Sequence, residues 1–283
     1  MKASPGGAIE ALARFGYGAR GVVYGLVGGL ALLAAFGSGG QAGGSRSALE
    51  TLLDQPFGRI LLGAIALGLA GFATWRLVEA VTDADRRGTS RKALAVRAAH
   101  AASGVAYASL ALAALAMALG RGGGGGEDQQ AREGSAWLLA QPFGQWLLGA
   151  VGLTVIGVGL GYGLRAWRGD VEDHLALPPD ARRWAVPLGR LGFAARGVVF
   201  ALVGGFVALA ALHARSSEVK GLGGALRALQ DQPYGFALLG LTAAGLFAFG
   251  LFGLVQARYR RIDAPDIEGV TDAAARGVQA LRR

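Results

Sequence analysis

Residues 14–29 read RFGYGARGVVYGLVGG, and residues 190–205 read RLGFAARGVVFALVGG. Between them, RAAHAASGVAYA at 97–108 repeats Arg14, Gly21, Val22 and Tyr24 as Arg97, Gly104, Val105 and Tyr107. A second marker follows each copy: DQPFG at 54–58, AQPFG at 140–144 and DQPYG at 231–235, with LLG next at 61–63, 147–149 and 238–240. A unit recurring this regularly decides the architecture before any single residue does.

What recurs is apolar. The 283 residues are 53% hydrophobic and 17% charged, with 49 glycines. Six stretches near 15–36, 58–80, 98–119, 143–164, 191–212 and 235–257 are mostly apolar. A helix of about 20 residues, rising 1.5 Å per residue, spans a hydrocarbon core of about 30 Å. LVGGLALLAAF and LLGAIALGLAGFA show no polar face of the kind a surface helix of a soluble domain carries. The expectation is an all-α membrane protein with one transmembrane domain over 1–283. Its repeats cover 10–80, 94–165 and 187–257, and a tail covers 258–283. The first stretch is not read as a cleaved signal, because its motif returns internally at 190–205.

Two spans per repeat put the three copies in the same orientation, so the repeats are parallel, in a pseudo-threefold arrangement. Charge sets the direction. The segments 37–57, 120–142 and 213–234, with Arg59, hold seven basic and seven acidic residues. The whole excess of +9 therefore belongs to the other side. Positive charge collects in the cytoplasm, which predicts a multi-pass protein of the bacterial inner membrane with both termini cytoplasmic. The same distribution argues against nucleic acid as the partner of this basic chain. It favours the bilayer itself, with anionic lipid headgroups beside Arg86, Arg87, Arg91, Lys92, Arg258, Arg260 and Arg261. A membrane-protein partner or a homo-oligomer is also open.

The outer loops start glycine-rich and continue into SALETLLDQ, SAWLLAQ and ALRALQDQ, which predict short interfacial helices. Ser47 and Glu50 have the spacing of a capping box. Pro56, Pro142 and Pro233 suit the first turn of the following span, where a missing N–H costs nothing. The aromatic after each proline (Phe57, Phe143, Tyr234) is expected at headgroup depth. In the tail, Ile267, Val270, Ala274 and Val278 share a helical face suited to the membrane surface.

Small residues spaced by four, Gly21, Gly25 and Gly29, and Gly197, Ala201 and Gly205, allow close helix approach. They lead us to expect the three first helices to gather around the repeat axis. Within the spans, Arg20 and Arg196 occupy one repeat position, where the second copy has Ser103. Arg76 and Glu79 are one turn apart and can pair; Arg165 and Gln256 stand where Glu79 does. The arginines either snorkel to lipid phosphate and bond nearby carbonyls, or Glu79, or they form a charged ring for an anion site or gate. His100 replaces Tyr17 and Phe193 and reads as a polar interfacial residue, with pH sensing as the alternative.

GYGARG at 16–21 matches GxGxxG but lacks the strand and βαβ context of a dinucleotide site. The glycines at 122–126 are followed by no Lys-Ser/Thr. There is no cysteine, no HExxH and no GxSxG. No catalytic residue, metal ligand or cofactor is therefore assigned, and the chain reads as a non-enzymatic structural, lipid-contacting or partner-binding module. A small channel or transporter is the first alternative, and a membrane enzyme the second.

The repeated R-x-G-aromatic-x-A-R-G-V-V-aromatic pattern, with QP-aromatic-G downstream, resembles the bacterial membrane family known as domain of unknown function 1206. That resemblance covers residues 10 to 262 and implies three tandem two-helix repeats. The second copy departs from it at His100 and Ser103. The family implies no established activity and so no catalytic residue.

Overall fold

The computed structural model describes residues 5–82, 90–121, 126–173 and 175–262, and these are almost wholly helical. The first repeat contains α1 (Pro5–Ala35), α2 (Ser45–Leu53) and α3 (Gly58–Thr82). The second contains α4 (Arg91–Ala118), α5 (Glu127–Leu139) and α6 (Gly144–Arg168), and the third α7 (Pro179–His213), α8 (Leu222–Gln230) and α9 (Gly235–Tyr259). The six long helices are apolar and long enough to cross a membrane. The short ones, α2, α5 and α8, lie in the loops joining each pair. The face where α1 starts and α9 ends is called the terminal face below, and the opposite one the loop face. Most of the tail, with Arg86, Arg87 and His174, lies outside the described residues.

The closest pairings run between repeats. The first helix of each repeat packs on the second helix of the one before: α4 on α3, α7 on α6 and, closing the order, α1 on α9. Glycines on both partners make the approach possible. A Cβ on Gly21 would lie 2.7 Å from the Gly250 carbonyl oxygen, and one on Gly28 would lie 2.3 Å from the Phe247 nitrogen. On the α6–α7 side, a Cβ on Gly197 would lie 2.9 Å from the Gly159 oxygen. The contact is made by Gly21 and Gly28 on α1 and by Gly197 and Gly204 on α7, whereas Gly25 and Gly205 of the expected four-residue spacing meet nothing within 4 Å. Only a partner that is also stripped of side chains lets a backbone come so near, so these glycines bring first helices onto second helices rather than onto one another.

Within repeats, α1 also packs on α3, and α7 on α9. Gly16 presses on the backbone of Phe72, Gly192 on that of Phe249, and Gly68 and Gly245 on the methyls of Ala19 and Ala195. The second repeat lacks this set. It has Ala99 for Gly16 and Gly192, Thr154 for Gly68 and Gly245, and Val158 for Phe72 and Phe249. Extra side-chain atoms now stand where backbones would touch, and the large ring that would fill the interface is gone. Correspondingly α4 and α6 are not packed on each other as the other two pairs are. Only 22% and 17% of their apolar windows are buried, against 44–67% for the other four helices.

Each QP-aromatic-G element is a tight turn rather than a first helical turn. The Gly58 N–H donates to the Gln55 carbonyl (2.9 Å), Gly144 to Gln141 (2.9 Å) and Gly235 to Gln232 (2.8 Å). Pro56, Pro142 and Pro233 thus occupy the second turn position and the aromatic the third, with φ of 61°, 61° and 63° at Phe57, Phe143 and Tyr234. The helix begins only at the following glycine, which corrects the expected placement of the prolines. That glycine is required: a Cβ on Gly235 would lie 1.9 Å from the Gln230 oxygen. The three aromatics point outward, 76–80% exposed.

The short helices are tied together by two acids of α5. No capping box forms at Ser47; α2 starts at Ser45, its N-cap is Gly44, and no side chain of its own caps it. The Glu127 carboxyl faces the Ser45 and Arg46 N–H groups instead. Asp128 accepts from the N–H groups of Gly221 (2.7 Å) and Gly224 (3.3 Å) at the start of α8, and from the Arg227 side chain of its last turn. Two carboxylates at helix N-termini, each from another repeat, complement the positive ends of α2 and α8.

Candidate functional site

The charged and aromatic side chains of the spans converge in the half of the bundle nearer the terminal face. Its outer tier is made by Arg14, Arg97 and Arg190, the same position in each copy. Arg14 Nη1 donates to the carbonyls of Ala257 (3.1 Å) and Arg258 (2.9 Å) at the end of α9. Arg97 donates to Ala80 (2.7 Å) and Val81 (2.9 Å) at the end of α3. Arg190 donates to Ala166 (2.9 Å) and Trp167 (3.3 Å) at the end of α6. Each guanidinium satisfies carbonyls that a helix C-terminus leaves unpaired and sits at the negative end of its dipole. These contacts recur at the three cross-repeat pairings. The sequence held the signal, since this is the one charge kept in all three copies, but its partner was not legible there.

Six residues further along, about 9 Å deeper, lie Arg20 and Arg196. They are buried, 3% and 6% exposed, so the snorkelling expectation is corrected. Arg20 donates to the Gln256 Oε1 of α9, and its guanidinium lies over the rings of Tyr17 (5.1 Å), Phe72 (4.8 Å) and Phe249 (5.0 Å). The expected partner Glu79 is engaged elsewhere. Arg196 lies over Tyr24 (5.1 Å), Tyr162 (4.6 Å), Phe200 (5.0 Å) and Phe249 (4.6 Å). An arginine at a helix centre costs about 2.5–3.5 kcal/mol on insertion scales. A desolvated ring face returns about 2 kcal/mol, so the several faces around each cation offset that cost within the bundle.

Glu79 of α3, 2% exposed, faces basic side chains from three segments of the chain. Arg76 donates to it at 2.8 Å, the pair that one-turn spacing implied, and Arg260 at 3.0 Å. The Nδ1 of His100 is 3.7 Å away on α4. His100 therefore faces the core rather than the interface, as the acid opposite it dictates. Arg260, expected at lipid headgroups, instead folds inward over the Tyr17 ring (4.9 Å). An isolated bridge between Leu175 and Arg260 holds the chain there, and the Ala176 N–H donates to Tyr259 (2.8 Å). Arg165 lies over Phe193 (4.9 Å), and its Nε donates to the Asp170 carbonyl (2.8 Å).

The centre is therefore a cationic, aromatic-lined polar layer with Glu79 as the carboxylate at its heart. Edge-to-face ring pairs fix its walls: Tyr17 on Phe72, Phe72 on Tyr107, Tyr24 on Phe249 and Phe193 on Phe249. The rings were not singled out in the sequence because aromatics in a span read as apolar filling until a cation is placed among them. Gly21 and Gly197 serve the backbone approach beside this layer, while Pro56, Pro142 and Pro233 lie at the loop face, away from it. Among the described residues no group of three or more His, Cys, Asp or Glu side chains converges. One open depression of about 460 Å³ lies at the loop face, lined by Ala34, Gly37, Gly40, Ala42, Arg227 and Gln230.

A family model described as Domain of Unknown Function (DUF1206) matches residues 15–83, 98–169 and 191–260. A relative described as "Uncharacterized protein YxxB", of Bacillus subtilis (strain 168), is 35% identical over 257 residues, covering 90% of this chain and 92% of its own. No solved structure matches.

Proposed function

The chain belongs to the Domain of Unknown Function (DUF1206) family, and from that premise we propose that it is a non-enzymatic module of the bacterial inner membrane. It serves a structural, lipid-contacting or partner-binding role and holds both termini in the cytoplasm. The observation that carries this reading is how the intramembrane charge is used. Glu79 is taken up by Arg76, Arg260 and His100, Arg20 by Gln256 and three rings, and Arg14, Arg97 and Arg190 by helix ends. Apart from Arg76 on Glu79 and Arg20 on Tyr17 and Phe72, these contacts join repeat to repeat, which is what a packing device requires, and they support a pseudo-threefold arrangement of the three hairpins.

Bilayer contact follows from the outer surface. Leu67, Leu112, Leu153, Leu160 and Leu241 are exposed along the spans. Trp146 and Trp167 stand exposed near the two ends of α6, about 32 Å apart at 1.5 Å per residue, which matches a hydrocarbon core of about 30 Å between interfacial anchors. Anionic headgroups are the proposed neighbours of the basic terminal face. Reporter fusions after residue 125 and at the C-terminus test the orientation: an external residue 125 with a cytoplasmic C-terminus supports it, and the reverse sinks it.

A channel or transporter is the second reading, favoured by the surplus of positive charge in the polar layer. Solute flux through reconstituted protein separates the two.

A further inference from the structure

The seam between α4 and α6 is where the bundle departs from its own pattern. Ala99 and Ala102 on α4 are exposed, although their counterparts Gly16 and Ala19, and Gly192 and Ala195, are buried. Thr154, Gly157 and Gly161 on α6 are exposed, although Gly68, Gly71 and Trp75, and Gly245, Ala248 and Phe252, are buried. The walls of the seam are thus small and, Thr154 apart, apolar.

Behind the seam Tyr107 of α4 and Tyr162 of α6, both half-buried, pack with Tyr24. The Tyr107 hydroxyl is buried beside the Tyr24 hydroxyl and makes no other hydrogen bond among the described residues. The guanidinium of Arg196 lies 4.6 Å from the Tyr162 ring. Its Nε is buried without a partner, and among the described residues Arg196 makes neither an ion pair nor a hydrogen bond. Arg20 at the same repeat position has Gln256, and Glu79 has two arginines. At the position where α3 offers Glu79 and α9 offers Gln256, α6 carries a second cation, Arg165.

We propose that the α4–α6 seam is a lateral binding site for one anionic membrane lipid, whose acyl chain lies between the two helices and whose headgroup oxygens accept from Arg196 and Tyr107. Charge complementarity selects the head: a cation buried in a low-dielectric layer without a counterion binds an anion more strongly than the same cation in water. Membrane access selects the source, because the exposed seam residues lie within the apolar spans α4 and α6. Arg196 stands about 9 Å below Arg190, so the headgroup sits below the level of the bulk headgroups and is distinguished from them. This site deepens the lipid-contacting reading above and rests on it.

The test uses the full chain purified in mild detergent, with native mass spectrometry after addition of phosphatidylglycerol or phosphatidylcholine. The parent protein is expected to retain one phosphatidylglycerol at least tenfold better than phosphatidylcholine. Arg196→Gln and Gly157→Leu are each expected to lower that retention about tenfold. Gly157 is exposed and a Cβ there meets nothing within 4 Å, so the leucine fills the seam without disturbing the fold. It keeps the test decisive should Arg196→Gln fail to fold. Equal retention of both lipids overturns the site, as does undiminished binding in Gly157→Leu. Displacement by millimolar inorganic phosphate overturns the membrane source, and a lipid-free dimer abolished by Gly157→Leu assigns the seam to a second copy instead. Flux in vesicles of the same lipids judges the non-transport reading separately: lipid bound with flux fails that reading alone, and no lipid with no flux fails the site alone.

Discussion

Arg14 of the first helix donates to the backbone carbonyl of Ala257 near the end of the last at 3.1 Å, and the chain is closed on itself by that bond. Arg97 on Ala80 and Arg190 on Ala166 are the same contact one repeat on and two repeats on. The order of helices around the bundle is set at these three points and at the glycine contacts beside them.

Replacing Arg14, Arg97 or Arg190 with alanine removes charged hydrogen bonds to helix-end carbonyls, and each loss costs about 1.5–3 kcal/mol. Denaturant unfolding in detergent should show three similar losses. A loss at one position only would mean that the three contacts are alike in geometry but not in energy.

Gly28→Ala and Gly25→Ala make a matched pair on α1. A methyl on Gly28 collides with the Phe247 backbone, whereas one on Gly25 meets nothing within 4 Å. Overpacking costs about 1–3 kcal/mol, while an added methyl at an open helical site gains about 0.5–1 kcal/mol. Thermal unfolding should fall for the first and hold or rise for the second. The reverse order would contradict the α1–α9 contact.

The turn before each second span is strained, because a left-handed aromatic costs about 1–2 kcal/mol relative to glycine. Phe143→Gly should therefore keep or raise the unfolding temperature, even though it removes a large side chain. Gly144→Ala should lower it, since its methyl would lie 2.3 Å from the Leu138 oxygen. A stable Gly144→Ala protein would refute the turn geometry.

The repeats, the six spans and the short loop helices were legible because each is written in local composition. The QP-aromatic-G element was visible, but its proline was placed two residues too late, since a proline before a helix reads alike at the first turn or in a preceding turn. Which helix meets which was not legible. A repeat states that α1 and α7 are equivalent, and says nothing of α1 finding α9. The open α4–α6 seam was present as Ala99 and Thr154 in place of glycine, yet it acquires meaning only once Gly16 and Gly68 are seen in contact with Phe72 and Ala19. Arg20 and Arg196 were legible as costly residues. Their solution was not, because the rings that hold them come from α1, α3, α6, α7 and α9 together.

The loop face should respond to pH through Glu127. Burial, reinforced by neighbouring Asp128, pushes its carboxyl above the usual range despite the Ser45 and Arg46 N–H groups. The folded state then holds this proton more tightly than the unfolded chain. Its contribution is fully present below the ordinary carboxylate value and declines as pH rises through the raised one. Unfolding temperatures followed from about pH 4 to 8 should fall more steeply for the parent than for Glu127→Gln. Parallel profiles would remove Glu127 from the account.

The central claim is that the buried arginine layer holds the bundle together rather than conducting. The most direct measurement pairs anion efflux from proteoliposomes with unfolding temperature, for the parent and for Arg20→Leu/Arg196→Leu. The account predicts parent efflux equal to protein-free vesicles, and a double variant that inserts normally but unfolds several degrees lower, as loss of about 1–2 kcal/mol produces. Anion efflux in the parent that the double variant loses at an unchanged unfolding temperature would contradict it.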